Sequence, residues 1–413
     1  MTTSPTTDVG PATGAAATTD AATASVRARH GHRFAGAAAR VATVAAEHAA
    51  RADTESVFPV ETLAELRHAG LLGLMVPATH GGLGGDIADM VRVSTDLGRA
   101  DMSVAMIFAM HCQQVAAIDR HARPALRDRL LPEIAAGRRY LASVTTEAAT
   151  GGHLLSAQSP LAASHGALDI DRFAPIVTGG AHADGFLITM LAPDAASPAQ
   201  VSLVYADREE LDVTAQGDWR ALGMRASHSL PLRLTGRVPE DRTIGEAGDF
   251  RTVMTSTFAP MAHLGWAAAW LGTAAGALSR VLHLLRSPAG RARTDLRSEL
   301  LLSRLSQARR RLDQVHALLT QTLTTVEQAR DLSRPVAQLQ LNALKITASE
   351  ECRRAVDDLI EAVGMRHGYL KNSPTRLEQA LRDLRSATLN YHNDRLHLAD
   401  GKLALLDPEV TFA

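Results

Sequence analysis

From about Arg27 to Arg139 apolar residues recur at steps of three and four, the period of helices that bury one face. Pro59 sits where a first helical turn would begin, ahead of 61–67. Residues 86–99 and 103–120 read as two further helices, with Asp101 capping the second. A shorter one over 126–136 is entered through Pro124. At Tyr140 the period shortens towards two, and β-like runs appear at 141–146, 186–191, 201–205 and 230–234. Pro231 inside the last run predicts an edge strand. After Phe250 the helical period returns over 250–286, 294–332, 335–363 and 374–405, with Pro288, Gly290, Gly364 and Gly368 between segments. Four long helices with short breaks predict an antiparallel bundle. The expected fold is therefore α+β: an N-terminal helical domain over 26–139, a central antiparallel β domain over 140–245 and a C-terminal four-helix bundle over 246–413. Residues 1–25 are Ala, Thr, Ser, Gly and Pro with almost no large apolar side chain, and are expected to be a disordered tail.

Composition narrows the function classes. Lys and Arg number 43 against 44 Asp and Glu, without the basic excess of a nucleic-acid binder. No run of 18 apolar residues occurs, so no membrane span is expected. Cys112 and Cys352 are too few for a disulfide framework or a four-cysteine zinc site, and no His/Glu spacing suggests a metal. With no secretory or transit pattern at the N-terminus, a cytoplasmic location is expected.

Local motifs then carry a resemblance. Residues 70–85 read GLLGLMVPATHGGLGG and are followed by Leu97-Gly98-Arg99-Ala100-Asp101. Residues 131–137, LPEIAAG, lead into Ser143-Val144-Thr145-Thr146-Glu147. Further on stand Val177-Thr178-Gly179-Gly180-Ala181-His182-Ala183-Asp184, then Leu222-Gly223-Met224-Arg225-Ala226-Ser227, then Val363-Gly364-Met365-Arg366-His367-Gly368-Tyr369, and last Arg382-Asp383-Leu384-Arg385. In this order they resemble the acyl-CoA dehydrogenase superfamily over roughly residues 27–405. The resemblance implies FAD, or FMN in a monooxygenase relative. It implies flavin contacts from Val144, Thr146, Gly152 and Thr178. It also implies contacts from Gly364 and Met365, often across a subunit boundary, and hence a homodimer or homotetramer. Implied partners are an acyl thioester, on CoA or a carrier protein, and an electron-transfer protein or flavin reductase.

One departure bears on the chemistry. Relatives that dehydrogenate thioesters take the α-proton with a Glu nine residues after the Arg of the RD pair. Here that position is Tyr391, followed by His392, Asn393 and Asp394. The alternative site for the Glu, near 255–261, holds no acid either. His392 suits a replacement base, because imidazole titrates near neutrality; Tyr391 and His111 complete the catalytic candidates. His111, on an apolar helix, can equally be a core imidazole with both nitrogens satisfied. The default expectation is α,β-dehydrogenation with hydride transfer to flavin N5. A flavin monooxygenase using reduced flavin and O2 is the alternative, and a relative with lost chemistry, a binding or scaffold protein, is the third.

Overall fold

The computed structural model describes residues 32–148 and 153–412. The expected tail lies outside the described residues. Among the described residues the N-terminal part holds five α-helices, α1 Ala35–Glu55, α2 Val60–His68, α3 Ile87–Ala100, α4 Met102–His121 and α5 Pro124–Ala135. Helix α3 begins in a reciprocal cap: Asp86 accepts from Asp89 N at 2.9 Å and Asp89 from Asp86 N at 3.2 Å. Asp101 caps α4 through Val104 N at 3.1 Å, as its position predicts. Helix α4 is buried along nearly its whole length.

Among the described residues eight strands follow: β1 Leu141–Val144, β2 Ala162–Ser164, β3 Ala167–Ala174, β4 Gly185–Leu191, β5 Val201–Asp207, β6 Leu211–Ala215, β7 Leu232–Pro239 and β8 Thr243–Ile244. They form two four-stranded sheets, ordered β1-β4-β5-β8 and β2-β3-β7-β6. Two expectations change here. β1 pairs with β4 in parallel, so the domain is not purely antiparallel. β7 is an interior strand, because Pro231 stands just before it and leaves its ladder donors intact.

The C-terminal part comprises α6 Phe250–Val253, a π-helical turn Met254–Phe258, α7 Ala259–Arg286, α8 Pro288–Arg291, α9 Glu299–Gln328, α10 Pro335–Gly364, α11 Leu377–Arg385 and α12 Asn393–Ala404. The π-turn has a local cause. Pro260 lacks an N–H and its ring crowds the carbonyl four residues back, Ser256, so the ladder widens there. Helix α7 lies against α3 at glycines: a Cβ on Gly272 would meet Thr95 O at 2.1 Å, and one on Gly98 would meet Ala269 O at 2.4 Å. The fourth expected bundle helix is two helices. Residues 386–392 break it, and Tyr391 turns there at φ +54. The break contains no Gly or Pro, only Ser, Thr and Asn that favour local turns over helix.

Candidate functional site

A cavity of about 420 Å³ opens where the three parts meet. One wall is α4, through Met106, Met110 and Gln113. The π-turn and α7 contribute Met254, Phe258, His263 and Trp266. The β part supplies Thr145, Thr146, Ile176, Thr178, Trp219, Met224, Ser227 and Ser229. Helix α11 and the break after it supply Arg382, Arg385, Leu389, Asn390 and Tyr391.

The β-side wall is a set of pinned hydroxyls. Thr146 donates to Ile176 O at 2.9 Å and accepts from Ile176 N at 3.3 Å. Its own carbonyl is held by Arg172, a wholly buried guanidinium, at 2.8 Å. Thr178 and Ser229 oxygens are 3.0 Å apart, Ser229 and Ser227 2.8 Å, and Ser227 donates to Met224 O at 2.7 Å. Trp219 Nε1 donates to the same carbonyl at 3.0 Å. Met224 sits at φ +53, a conformation a non-glycine residue keeps only when over-determined. Its N–H donates to Asp383 at 2.7 Å. Burial, and next the charge of Asp101, push the Asp383 carboxyl up to about 7.

Besides Arg382, Arg385, Ser386 and Asn390, the bundle-side wall carries three aromatic groups with polar atoms. His263 Nδ1 donates to Leu341 O at 3.2 Å, which leaves Nε2 as an acceptor. Burial, then the nearby Lys345, hold this imidazole down at about 3. The Tyr391 ring meets it edge-on, with centroids 6.0 Å apart, and burial raises the phenol above its ordinary range. Trp266 Nε1 is buried without a hydrogen-bond partner. Gln113 spans the floor, donating to Phe258 O, the last residue of the π-turn, at 2.8 Å. Among the described residues no Asp or Glu lines the cavity, and residues 149–152 contain none. Glu147, just past Thr146, is turned to the backbone of Gln158 and Ser159 at 2.9 and 3.1 Å.

The β-side hydroxyl protons are spent within the wall, Thr178 on Ser229, Ser229 on Ser227, Ser227 on Met224 O and Thr146 on Ile176 O. That wall presents oxygen acceptors opposite the apolar side chains of α4 and α7, a slot suited to a flat ring system with an imide N–H on its edge. The residues therefore fit a flavin.

Sequence comparison matches residues 33–138 to the acyl-CoA dehydrogenase N-terminal domain and residues 251–390 to the acyl-CoA dehydrogenase C-terminal domain. The chain belongs to the acyl-CoA dehydrogenase superfamily. A dibenzothiophene monooxygenase of Rhodococcus qingshengii is 26 % identical over 234 residues, 54 % of this chain. The match spans only 55 % of that relative's length. The FMN-bound TdsC of Paenibacillus sp. A11-2 superposes with a TM-score of 0.80 at 22 % identity, covering 92 % of this chain and 98 % of that one. Butyryl-CoA dehydrogenase of Megasphaera elsdenii gives 0.79 at 16 % identity, covering 89 % and 98 %. At these identities the two structures speak for the fold.

In this acyl-CoA dehydrogenase fold the sequence-predicted residues separate. Thr146, Thr178 and Tyr391 line the cavity together. Val144 is buried in β1, its carbonyl taken by Thr189. His111 is a structural strut: Nε2 donates to Leu72 O at 2.9 Å and Nδ1 accepts from Leu141 N at 3.1 Å, so neither nitrogen is free for chemistry. His392 is half-exposed and turned to Asp394 at 3.4 Å, because the break ends there and the chain enters α12. Gly364 and Met365 lie at the end of α10 outside the cavity, with Met365 67 % exposed. Gly152 lies outside the described residues. The imidazole that does line the cavity, His263, was missed, along with Trp266 and Gln113. Its signal was a His, one turn past Pro260, in an otherwise apolar helix.

Among the described residues no helix is long and apolar enough to cross a membrane, and no group of His, Cys, Asp and Glu could hold a metal ion.

Proposed function

We propose that this protein is a flavin-dependent monooxygenase acting on a neutral, largely apolar substrate, with flavin reduced by a separate reductase. The observation that carries it is the cavity wall without a carboxylate. Removing the α-proton of a thioester needs a base matched to the working pH. His263, the imidazole in the wall, is held near 3 and is a poor match. It is well suited to a different task, as a permanently neutral acceptor. The likeness to dibenzothiophene monooxygenases supports the same reading.

When bound in reduced form, the flavin supplies the two electrons that divide O2 between substrate and water. The chain's own residues do the rest. Thr146, Thr178 and Trp266 offer polar contacts that orient the ring, FMN by likeness to the FMN-bound relative, with FAD the alternative. Met110, Met254, Phe258 and Leu389 pack the substrate side and exclude water. His263 Nε2 stands ready to accept a hydrogen bond from a substrate donor, while the Tyr391 hydroxyl is directed to Met254 Sδ at 4.0 Å. The α,β-dehydrogenation of an acyl thioester remains the competing outcome of the test.

The test is turnover of dibenzothiophene and indole by the purified chain with FMN, NADH, a flavin reductase and ¹⁸O2. Incorporation of one labelled oxygen, lost without air, is expected. Anaerobic bleaching of bound flavin by butyryl-CoA, with no oxygenated product in air, would overturn the proposal.

A further inference from the structure

We infer that Lys345 is a positioning residue of this cavity: through Asn393 it anchors the broken helix that delivers Tyr391 to the wall. The inference deepens the reading of Tyr391 as a group facing the substrate. Lys345 is one of three lysines, with Lys371 and Lys402, in a chain that otherwise uses arginine. It is fully buried in α10. Its Nζ donates to Asn393 Oδ1 at 2.6 Å and stands 5.8 Å from the Trp270 ring centroid. Burial holds this amine down at about 7, with Glu350 pulling the other way; seating it there beside a neutral amide costs stability, which asks for a return elsewhere.

The return is visible in what Asn393 holds. Its amide also donates to Ser349 Oγ at 3.1 Å and to Glu350 Oε1 at 3.3 Å. Three groups of one helix thus fix the first residue of α12. Two residues earlier the chain passes through Tyr391 at φ +54. Residues 386–392 run in successive turns, Leu389 N and Asn390 N on Ser386 O at 2.9 and 3.0 Å and Asn393 N on Thr388 O at 3.1 Å, so the last turn of the path closes on Asn393 itself. Helix α11 fixes one end, through Asp383 and through Arg382 on Asp53 at 2.6 Å. Lys345 and Asn393 fix the other. The groups facing Lys345 are His263 and Trp270 on α7, Asn393 on α12, and Ser349 and Glu350 on its own helix.

The experiment is an alkaline ultraviolet titration of the full chain, which needs no turnover and so stands apart from the fate of the monooxygenase reading. Of four tyrosines, Tyr369 is exposed, while Tyr140 and Tyr205 are buried in the β part. Burial raises the phenols of Tyr140, Tyr205 and Tyr391 above their ordinary range, so at about pH 11 all three should stay silent in the parent protein. Lys345→Met should show one phenolate more than the parent, absent from the same variant carrying Tyr391→Phe, with Tyr140 and Tyr205 silent as internal controls. Lys345→Arg, which keeps a donor, should return the parent's count. A folded Lys345→Met with no phenolate beyond the parent's overturns the proposal. Should Lys345→Met unfold, shown by all four phenols ionising, Asn393→Ala decides: a Tyr391 phenolate supports the tether, and a silent Tyr391 overturns it.

Discussion

Asp383→Asn should stabilise the fold at pH 8 and leave it unchanged near pH 4. The side chain is 3 % exposed and its carboxyl is pushed from 3.8 to about 7 by burial and then by Asp101. In the unfolded chain the same group ionises near its ordinary value. Between pH 4 and 7 the folded state therefore holds a proton that the unfolded state has released, and stability falls as pH rises through that window. At ~1.4 kcal/mol per pH unit, the whole loss from this group approaches ~4 kcal/mol. Asparagine cannot ionise, and its Oδ1 can still accept from Met224 N, now bonded at 2.7 Å. The variant should therefore lack that slope. Urea unfolding at pH 5 and pH 8 measures it: the gain over the parent should be about 1–2 kcal/mol at pH 5 and about 4 kcal/mol at pH 8. An equal difference at both pH values, or a variant weaker at pH 8, would refute the reasoning. It would mean that Asp383 is ionised in the fold, its charge compensated by Met224 N–H and the Arg382 side.

Four other outcomes follow from the same geometry. His263→Leu removes one hydrogen-bond acceptor from the wall; it should fold and bind FMN but lose about tenfold in kcat, read by oxygenated product per bound flavin. Thr178→Val should weaken FMN binding about tenfold, near ~1.4 kcal/mol, by fluorescence titration. His111→Leu strands Leu72 O and Leu141 N, now bonded at 2.9 and 3.1 Å. It should cost ~2–4 kcal/mol of stability in urea while the folded fraction keeps its turnover. Gly223→Ala would set a Cβ 2.0 Å from Arg382 O. A backbone atom cannot yield as a side chain does, so urea unfolding should show a loss of at least ~1–3 kcal/mol.

Much of the architecture was written in periodicity and punctuation. The change of period at Tyr140 and its return near Phe250 mark the sheets and the bundle, and Asp86 and Asp101 cap their helices as their types dictate. These signals are local, and a single strand of sequence carries them in full. The motif threonines belong to the same class. Thr146 and Thr178 each follow a strand or turn with a recognisable signature, and the strand ends carry both to the cavity.

The rest depended on what lies across the fold. His111 and His263 are both histidines on apolar helices, and sequence offers no way to rank them. The partners decide: two backbone groups consume both nitrogens of His111, while Leu341 takes only one of His263. The break at 386–392 is likewise hidden, because its far anchor is a lysine 46 positions upstream of Tyr391. It turns Tyr391 inward and leaves His392 at the surface. The sequence by itself determined the element types, the family and the missing carboxylate at the expected position. Only the tertiary structure decided which polar groups face the cavity, because facing is set by long-range packing and hydrogen-bond satisfaction, not by spacing along the chain.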